Sequence, residues 1–312
     1  MKISALVPTY CRLTRLQKCL DALENQTRVA DEVIVVARDC GDETQKFLDC
    51  FNSKVLRLNI VTVTIAGQIA ALNAGLDAAQ GDIIAITDDD AVPHADWLAR
   101  IEAYFLADAS IGGVGGRDWV YHGDQLEDGK RCSEIGRVQW FGRVIGNHHL
   151  GCDAPCEVEI LKGANMSYRK AAIKTIKFDQ RLRGTGAQVH NDMAFSLALK
   201  QSGWKLIYDP LVAVNHYPAQ RFDDDERDQF NRLAFLNQVH NETLILLDYL
   251  SPLRRWVFLI WAILIGTSTN LGFMQLFRLL IRDGELAIEK WVVALEGRWQ
   301  GWQTWRKTGG QY

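Results

Sequence analysis

Three consecutive carboxylates, Asp88, Asp89 and Asp90, are the sharpest chemical feature of this 312-residue sequence. In an extended segment residues i and i+2 point the same way, so Asp88 and Asp90 can bind one cation while Asp89 faces elsewhere. A divalent ion held by one or two carboxylates, with other positions left for phosphate oxygens and water, is typical of Mg²⁺ or Mn²⁺. The alternative is a polar turn that caps a helix beginning near Ala95.

The elements that would position these carboxylates alternate between strand and helix. Apolar and β-branched runs predict strands at 3–7, 32–37, 59–63 and 83–86, and helical spacing predicts helices at 14–23, 44–51 and 68–79. This order predicts a parallel sheet with right-handed crossovers, in which ligands bind at the carboxyl ends of the strands. Three polar groups follow three of these strands, and we expect them to meet at one edge: 8–10 (PTY), 38–39 (RD) and 88–90 (DDD).

The second half of the chain is less regular. A helix is predicted at 97–106, and the glycine-rich run at 112–116 permits close approach of backbones. Residues 117–160 carry no clear pattern. A helix is expected after 163–168 and another at 192–202, followed by separate strands at 206–208 and 212–214. We place a domain boundary between Pro218 and Asp223.

Several segments occur in a characteristic order. They are VPTYCR at 7–12, VIVV at 33–36 followed by Asp39, Gly67 with NAGL at 73–76, TDDD at 87–90 with WL at 97–98, GANMS at 163–167, FD at 178–179, ND at 191–192, and then Gly203, Pro210 and His216. Over roughly residues 3–217 the chain thereby resembles an inverting family 2 glycosyltransferase. The resemblance implies the GT-A fold, a doubly wound, mostly parallel α/β sheet.

The resemblance implies transfer of a sugar from a nucleotide-sugar, such as a UDP-sugar, to an acceptor hydroxyl with inversion, in the manner of a hexosyltransferase. Asp39 would accept from a base N–H, and Asn73 would lie beside the ribose and diphosphate. Leu72 stands where many relatives carry a basic residue. The implied donor-binding residues are Pro8, Thr9, Tyr10, Arg12, Asp39, Gly67, Asn73, Asp88 and Asp89, and those on the acceptor side are Gly163, Ala164, Asn165 and Met166.

The same resemblance assigns Mn²⁺ or Mg²⁺ to Asp88 and Asp90. His216 is either a further ligand or a structural residue at a strand end. The chemistry requires a metal that neutralises the leaving diphosphate and a base that takes the acceptor proton. Asp192 matches the second acid of the family's catalytic pair, whose first member is Asn191 here. Asp192 could instead only cap its helix, and His190 is an alternative base.

Composition and charge exclude other classes of protein. Hydrophobic residues make up 48% and charged residues 23%, as in globular proteins, and a net charge of −3 lacks the basic footprint of a duplex-binding protein. No nucleic-acid partner is expected. Two alternatives stay open. One is a sugar-nucleotide nucleotidyltransferase, although PTY replaces its glycine-rich basic loop. The other is a non-catalytic membrane-associated binding protein on the same fold, because of Leu72 and Asn191.

The cysteine content and the N-terminal residues predict the cellular compartment of the protein. The chain has seven cysteines, an odd number, and its first residues contain no apolar signal core. We therefore expect unpaired thiols and a catalytic domain at the cytoplasmic face of a membrane. Cys152 and Cys156, close to His148 and His149, leave structural zinc as a minor alternative.

The last part of the chain differs in character, since six of ten tryptophans follow residue 250. The uncharged stretch 256–277 is long enough to span a bilayer, but 266–270 (GTSTN) is polar and arginines flank both sides, so charge predicts no orientation. Interfacial or re-entrant, spanning and buried forms stay open. We expect a glycosyltransferase domain at 1–218, with a nucleotide-sugar half at 1–110 and an acceptor half at 111–218. A helical, membrane-associating region at 219–312 would follow, and the acceptor would be a glycan or lipid-linked hydroxyl of a polysaccharide, glycolipid or cell-envelope pathway.

Overall fold

A computed structural model describes residues 1–38, 41–127, 129–218 and 230–309 of the chain. These residues form two compact units. The first contains 1–137, 145–178 and 195–218, and the second contains 138–144, 179–194 and 230–309. The second unit thus includes two segments of the region that the sequence assigned to the glycosyltransferase domain. The predicted boundary at 218–223 lies almost wholly outside the described residues.

The first unit is built on a ten-stranded sheet whose order is β10-β12-β6-β11-β4-β1-β2-β3, with β5 paired to β12 and β7 to β6. Its elements are β1 (Ile3–Thr9), α1 (Leu13–Glu24), β2 (Glu32–Arg38), α2 (Gly41–Cys50), β3 (Leu58–Val63), α3 (Gln68–Ala78), β4 (Ile83–Ile86), β5 (Ala91–Pro93), α4 (Trp97–Ala107), β6 (Ile111–His122), β7 (Gln125–Leu126), β10 (Cys156–Val158), β11 (Met166–Arg169) and β12 (Lys205–His216). Two short strands, β8 (Arg137–Val138) and β9 (Val144–Ile145), pair separately, and α5 spans Asn191–Gln201.

The predicted parallel sheet is present at β3-β2-β1-β4, where every pairing is parallel. β1 and the middle of β2 are completely buried, as their continuous apolar runs require. Beyond β4 the sheet is mixed, because β11 lies antiparallel between β4 and β6. The architecture is therefore α/β with a parallel centre. The carboxyl ends of β1, β2 and β4 lie at one edge.

Two local expectations are wrong. Residues after Tyr168 form turns instead of a helix, and 166–169 is itself a strand. The two strands expected at 206–208 and 212–214 are one strand, β12, which pairs with β6 through a register shift between Asp209 and Val214. The glycine-rich run lies inside β6 at this shift, where a Cβ on Gly116 would be 1.9 Å from the Val212 carbonyl oxygen. The glycine is required because β12 bulges toward it.

The second unit contains four helices after the described strands: α6 (Arg232–Tyr249), α7 (Pro252–Leu264), α8 (Phe273–Asp283) and α9 (Glu285–Thr308). The uncharged stretch 256–277 is therefore not continuous. Its polar middle is bonded to neighbouring helices: Asn270 donates to Glu242 at 2.5 Å, and Arg298 donates to the carbonyl oxygens of Asn270 and Leu271 at 3.0 Å. Among the described helices, none has the length and apolar composition needed to cross a bilayer.

Candidate functional site

The acidic triplet follows β4 at the carboxyl edge of the parallel strands. Asp89 and Asp90 are 2% and 6% exposed, and Asp88 is half-buried. Three carboxylates are thus held close together in largely buried surroundings, directly after a strand that β1 and β11 flank in the sheet. Such burial of like charges is costly unless positive charge compensates it, which marks the triplet as a functional site.

Asp89 turns toward the loop that follows β1. Its carboxylate accepts a hydrogen bond from the Thr9 hydroxyl at 2.8 Å and one from Arg12 at 3.1 Å. The same Arg12 guanidinium lies 3.5 Å from Asp90. Arg12 thus neutralises part of the charge of the triplet, and Thr9 helps to fix the orientation of Asp89.

Asp88 and Asp90 converge with His216. One ligand atom from each of these three side chains lies within 4.8 Å of the others, and His216 Nε2 is 3.3 Å from Asp90. His216 ends β12, which pairs antiparallel with β5 so that His216 stands opposite Ala91, next to Asp90. Two carboxylates and an imidazole are a donor set suited to a divalent ion. Within the described part of the chain, no other group of three His, Cys, Asp or Glu side chains has this geometry.

Asp118 was not singled out by the sequence. It lies on β6 beside β12, is 2% exposed, and approaches His216 Nδ1 at 3.1 Å. A carboxylate at Nδ1 fixes the ring and leaves Nε2 facing the other ligand atoms, an arrangement common behind metal-binding histidines. No local pattern pointed to Asp118, because it lies 98 residues from His216 in the chain.

Burial and neighbouring charges shift the pKa values of this cluster. Burial, reinforced by Asp90, raises the pKa of Asp88 to about 6. Burial raises the pKa of Asp89 to about 7 despite the opposing charge of Arg12. Burial alone would lower the pKa of His216, but the charge and hydrogen bond of Asp118, together with Asp90, raise it to about 10.

The remaining predicted donor-binding residues have varied surroundings. Pro8 is part of buried β1, and the Arg38 guanidinium stacks on the Tyr10 ring at 3.5 Å. Gly67 precedes α3 with φ of 102°, a conformation that favours glycine, and Gln68 beside it donates to Asp88 at 3.0 Å.

The structure does not test donor contact for two other predicted residues, Asn73 and Asp39. Asn73 is bonded in both directions to the backbone of Phe178, at 3.0 and 2.9 Å, which accounts for it structurally. Leu72 beside it is fully buried in the core. Asp39 lies outside the described residues. Contact of Asn73 and Asp39 with a donor stays a prediction.

The predicted acceptor-side segment is mostly buried. Ala164, Asn165 and Met166 are at most 1% exposed. Asn165 accepts from the Trp97 indole at 2.9 Å and donates to the Val212 carbonyl at 2.8 Å, while the Ala164 carbonyl accepts from Thr87 at 2.9 Å. Packing and hydrogen bonding explain these residues. Contact of this segment, including half-buried Gly163, with an acceptor stays a prediction.

Asp192 belongs to the second unit and lies in the first turn of α5, where it accepts a hydrogen bond from the Met193 backbone N–H at 2.8 Å. Its side chain is half-buried. Just before it, His190 and Gln188 adopt positive φ values of 76° and 45°. Left-handed backbone at non-glycine residues stores strain and is frequent at functional sites.

The cysteine pair considered for zinc lies in the first unit. Cys152 and Cys156 have their sulfur atoms 3.9 Å apart, and His148 bonds to the Ile160 carbonyl at 2.9 Å. His148 is therefore engaged elsewhere, and the zinc alternative gains no support.

Comparison with known proteins places this geometry in context. The family model described as glycosyl transferase family 2 matches residues 4–176. Glycosyltransferase AglE of Haloferax volcanii is 34% identical over 101 residues, 31% of this chain and 33% of that protein. Glucosyl-dolichyl phosphate glucuronosyltransferase of the same organism is 24% identical over 264 residues, 81% of this chain and 79% of that one.

Solved structures share the fold. TarS 1-349 of S. aureus, in complex with UDP-GlcNAc, has a TM-score of 0.59 at 15% identity, covering 99% of this chain and 92% of that chain. Mannosyltransferase PcManGT from Pyrobaculum calidifontis, in complex with GDP-Man and Mn²⁺, has a TM-score of 0.55 at 16% identity, covering 96% and 87%. At this level of identity the likeness concerns the fold alone.

Proposed function

The chain belongs to glycosyl transferase family 2, and from this premise we propose that it transfers a hexosyl group from a nucleotide-sugar to an acceptor hydroxyl with inversion. The observation that carries the proposal is the buried cluster of Asp88, Asp90 and His216 at the carboxyl edge of the parallel strands. Membership of this family also argues against the nucleotidyltransferase alternative.

A divalent cation fits the cluster. The ion pairs of the site join two cationic groups, Arg12 and His216, to three carboxylates, Asp89, Asp90 and Asp118, and Asp88 adds a fourth carboxylate beside them. Asp88, Asp90 and His216 would hold the ion, with His216 first losing the proton from Nε2, and the imidazole favours Mn²⁺ over the harder Mg²⁺. When bound, the ion supplies Lewis-acid stabilisation of the diphosphate leaving group.

The chain's own residues have separate roles in this proposal. Thr9 and Arg12 orient Asp89, which we assign to the donor, and the loop after β1 with Tyr10 receives the nucleotide base. Asp192 takes the proton from the acceptor hydroxyl as it attacks the anomeric carbon, so that inversion follows from a single displacement. Its half-buried carboxylate lies in the first turn of α5, where the positive end of the helix dipole stabilises negative charge.

We assign a UDP-sugar as the donor and a lipid-linked or glycan hydroxyl as the acceptor. Relatives support these classes by their names: one is a glucosyl-dolichyl phosphate glucuronosyltransferase, and a protein of the same fold was solved with UDP-GlcNAc. Synthesis of a polysaccharide, glycolipid or cell-envelope glycan would use such substrates. We propose that the enzyme acts at the cytoplasmic face of a membrane, where nucleotide-sugars are supplied.

A thermal-shift panel of nucleoside diphosphates tests the donor assignment. A ligand that binds only the native state raises the midpoint of unfolding. UDP with Mn²⁺ should raise it, and EDTA should remove most of the shift. Equal stabilisation by UDP with and without metal would contradict the metal assignment. No stabilisation by any nucleoside diphosphate would favour the non-catalytic binding protein.

The pKa values of the cluster predict that metal affinity depends on pH. A metal competes with protons for its ligands, and the raised pKa values of Asp88 (about 6) and His216 (about 10) leave Asp88 largely protonated in acid and His216 protonated up to neutral pH and beyond. Mn²⁺ should therefore bind more tightly as pH rises from about 5 to about 8, with release of protons. Calorimetric titration in two buffers of different ionisation enthalpy measures both effects. Affinity that falls over this range would contradict the assignment.

A further inference from the structure

Helix α7 presents an apolar face to solvent. Its exposed large side chains are spaced three, four, three and one residues apart along the helix, so they lie on one side of it. Phe258 and Ala262, on the other side, are 1% exposed and belong to the packed interior of the second unit. The exposed set, with exposed fractions of 42–70%, is Leu253, Trp256, Ile260, Ile263 and Leu264.

Helix α8 repeats this arrangement. Leu279 packs with Leu271 and Ala287, so one side of α8 faces α9. The opposite side carries five large apolar side chains that are 38–95% exposed, Ile281 being the most exposed of them. They are Phe273, Met274, Phe277, Leu280 and Ile281. We call the ten exposed side chains of α7 and α8 the apolar face.

The charge around the apolar face is predominantly basic. Helices α7 and α8 together carry four arginines, Arg254, Arg255, Arg278 and Arg282, against one acid, Asp283, which pairs with Arg282 at 2.7 Å, in a chain whose net charge is −3. Aromatic and aliphatic side chains beside arginines match the boundary between acyl chains and anionic headgroups. A surface that binds a soluble protein would not need flanking charges of a single sign.

We infer that the apolar face docks on a bilayer containing anionic phospholipid and inserts to the depth of one helix. The inference deepens the membrane part of the proposed function and rests on it. Neither helix crosses the bilayer, because the turn between them is held by Asn270 and Arg298 within the second unit. The second unit is thereby anchored with α7 and α8 parallel to the surface.

Vesicle flotation with the full chain tests this inference. Wild-type protein should float with vesicles of phosphatidylcholine and phosphatidylglycerol, and float much less with phosphatidylcholine alone. The double variant Met274→Glu/Ile281→Glu should lose more than about tenfold in partition, because two inserted side chains become charged. The variant Arg278→Gln/Arg282→Gln should lose about tenfold with anionic vesicles only, and salt should weaken wild-type binding.

A matched control separates the apolar face from general hydrophobicity. Ile65→Glu/Leu106→Glu replaces side chains that are 69% and 65% exposed on the first unit, and it should float as wild type does. Absence of wild-type flotation with anionic vesicles, or unchanged flotation of Met274→Glu/Ile281→Glu, would overturn the inference. So would a dimer in light scattering that this variant converts to monomer without any vesicle binding, since the face would then cover a second copy.

The same samples distinguish this inference from the proposed function. Hydrolysis of the nucleotide-sugar needs no membrane and should persist in Met274→Glu/Ile281→Glu. Flotation of a protein that neither hydrolyses nor binds any nucleotide-sugar would leave the docking surface standing and overturn the catalytic assignment. Transfer activity without flotation would leave the catalytic assignment standing and overturn the docking surface.

Discussion

Asp90→Asn should abolish both metal-dependent donor binding and transfer. Asp90 contributes to the metal cluster with Asp88 and His216 and also lies 3.5 Å from Arg12. The amide keeps the volume of the carboxylate but lacks its charge, so the ion loses one of its two carboxylates. Removing one preorganised electrostatic contact of this kind costs roughly 10²–10³-fold in turnover. Steady-state transfer assays, together with calorimetry of Mn²⁺ and UDP binding, measure the two losses separately.

Folding of this variant should be intact, because a neutral amide removes repulsion within the triplet. Thermal unfolding without metal checks this point. Asp124→Asn, which changes an exposed acid of the first unit, is the matched control and should leave both assays unchanged. Full activity of Asp90→Asn with unaltered Mn²⁺ affinity would remove Asp90 from the site.

Asp192→Asn should fold and bind UDP with Mn²⁺ as wild type does, yet lose transfer by about 10²-fold or more. The amide cannot take a proton, but it can still accept the hydrogen bond that the Met193 N–H donates at 2.8 Å. The cap of α5 is therefore preserved while the base is removed. Parallel measurement of donor affinity and turnover separates these roles.

Two variants control this experiment. Glu289→Gln changes an exposed acid of α9 in the second unit and should have no effect. His190→Gln tests the alternative base, and it should retain most of the turnover if Asp192 acts. Wild-type turnover in Asp192→Asn, with a large loss in His190→Gln, would transfer the base role to His190.

Much of the nucleotide half followed from the sequence. Alternating apolar runs and helical spacing predicted the strands and helices of the parallel centre within a few residues, because strands buried on both faces need continuous apolar side chains. The Asp88-Asp89-Asp90 triplet predicted a cation-binding site, since adjacent carboxylates repel one another unless a cation is near. Asp88 and Asp90 do converge as predicted, but Asp89 and Asp90 lie in a turn and not in the extended segment from which the prediction was argued, and Arg12 contacts both Asp89 and Asp90.

Other features depended on contacts between residues distant in the chain. The pairing of β5 with β12 brought His216 to Asp90, and the neighbouring β6 supplied Asp118. Neither pairing has a local signal, because antiparallel partners and a bulged register are set by packing across the sheet. The break in the stretch 256–277 is of the same kind. Its composition permitted one long helix, but a hydrogen bond from Asn270 to Glu242 and another from Arg298 to the Leu271 carbonyl stabilise a turn there. Only the tertiary structure decided which side chains of α7 and α8 stay exposed.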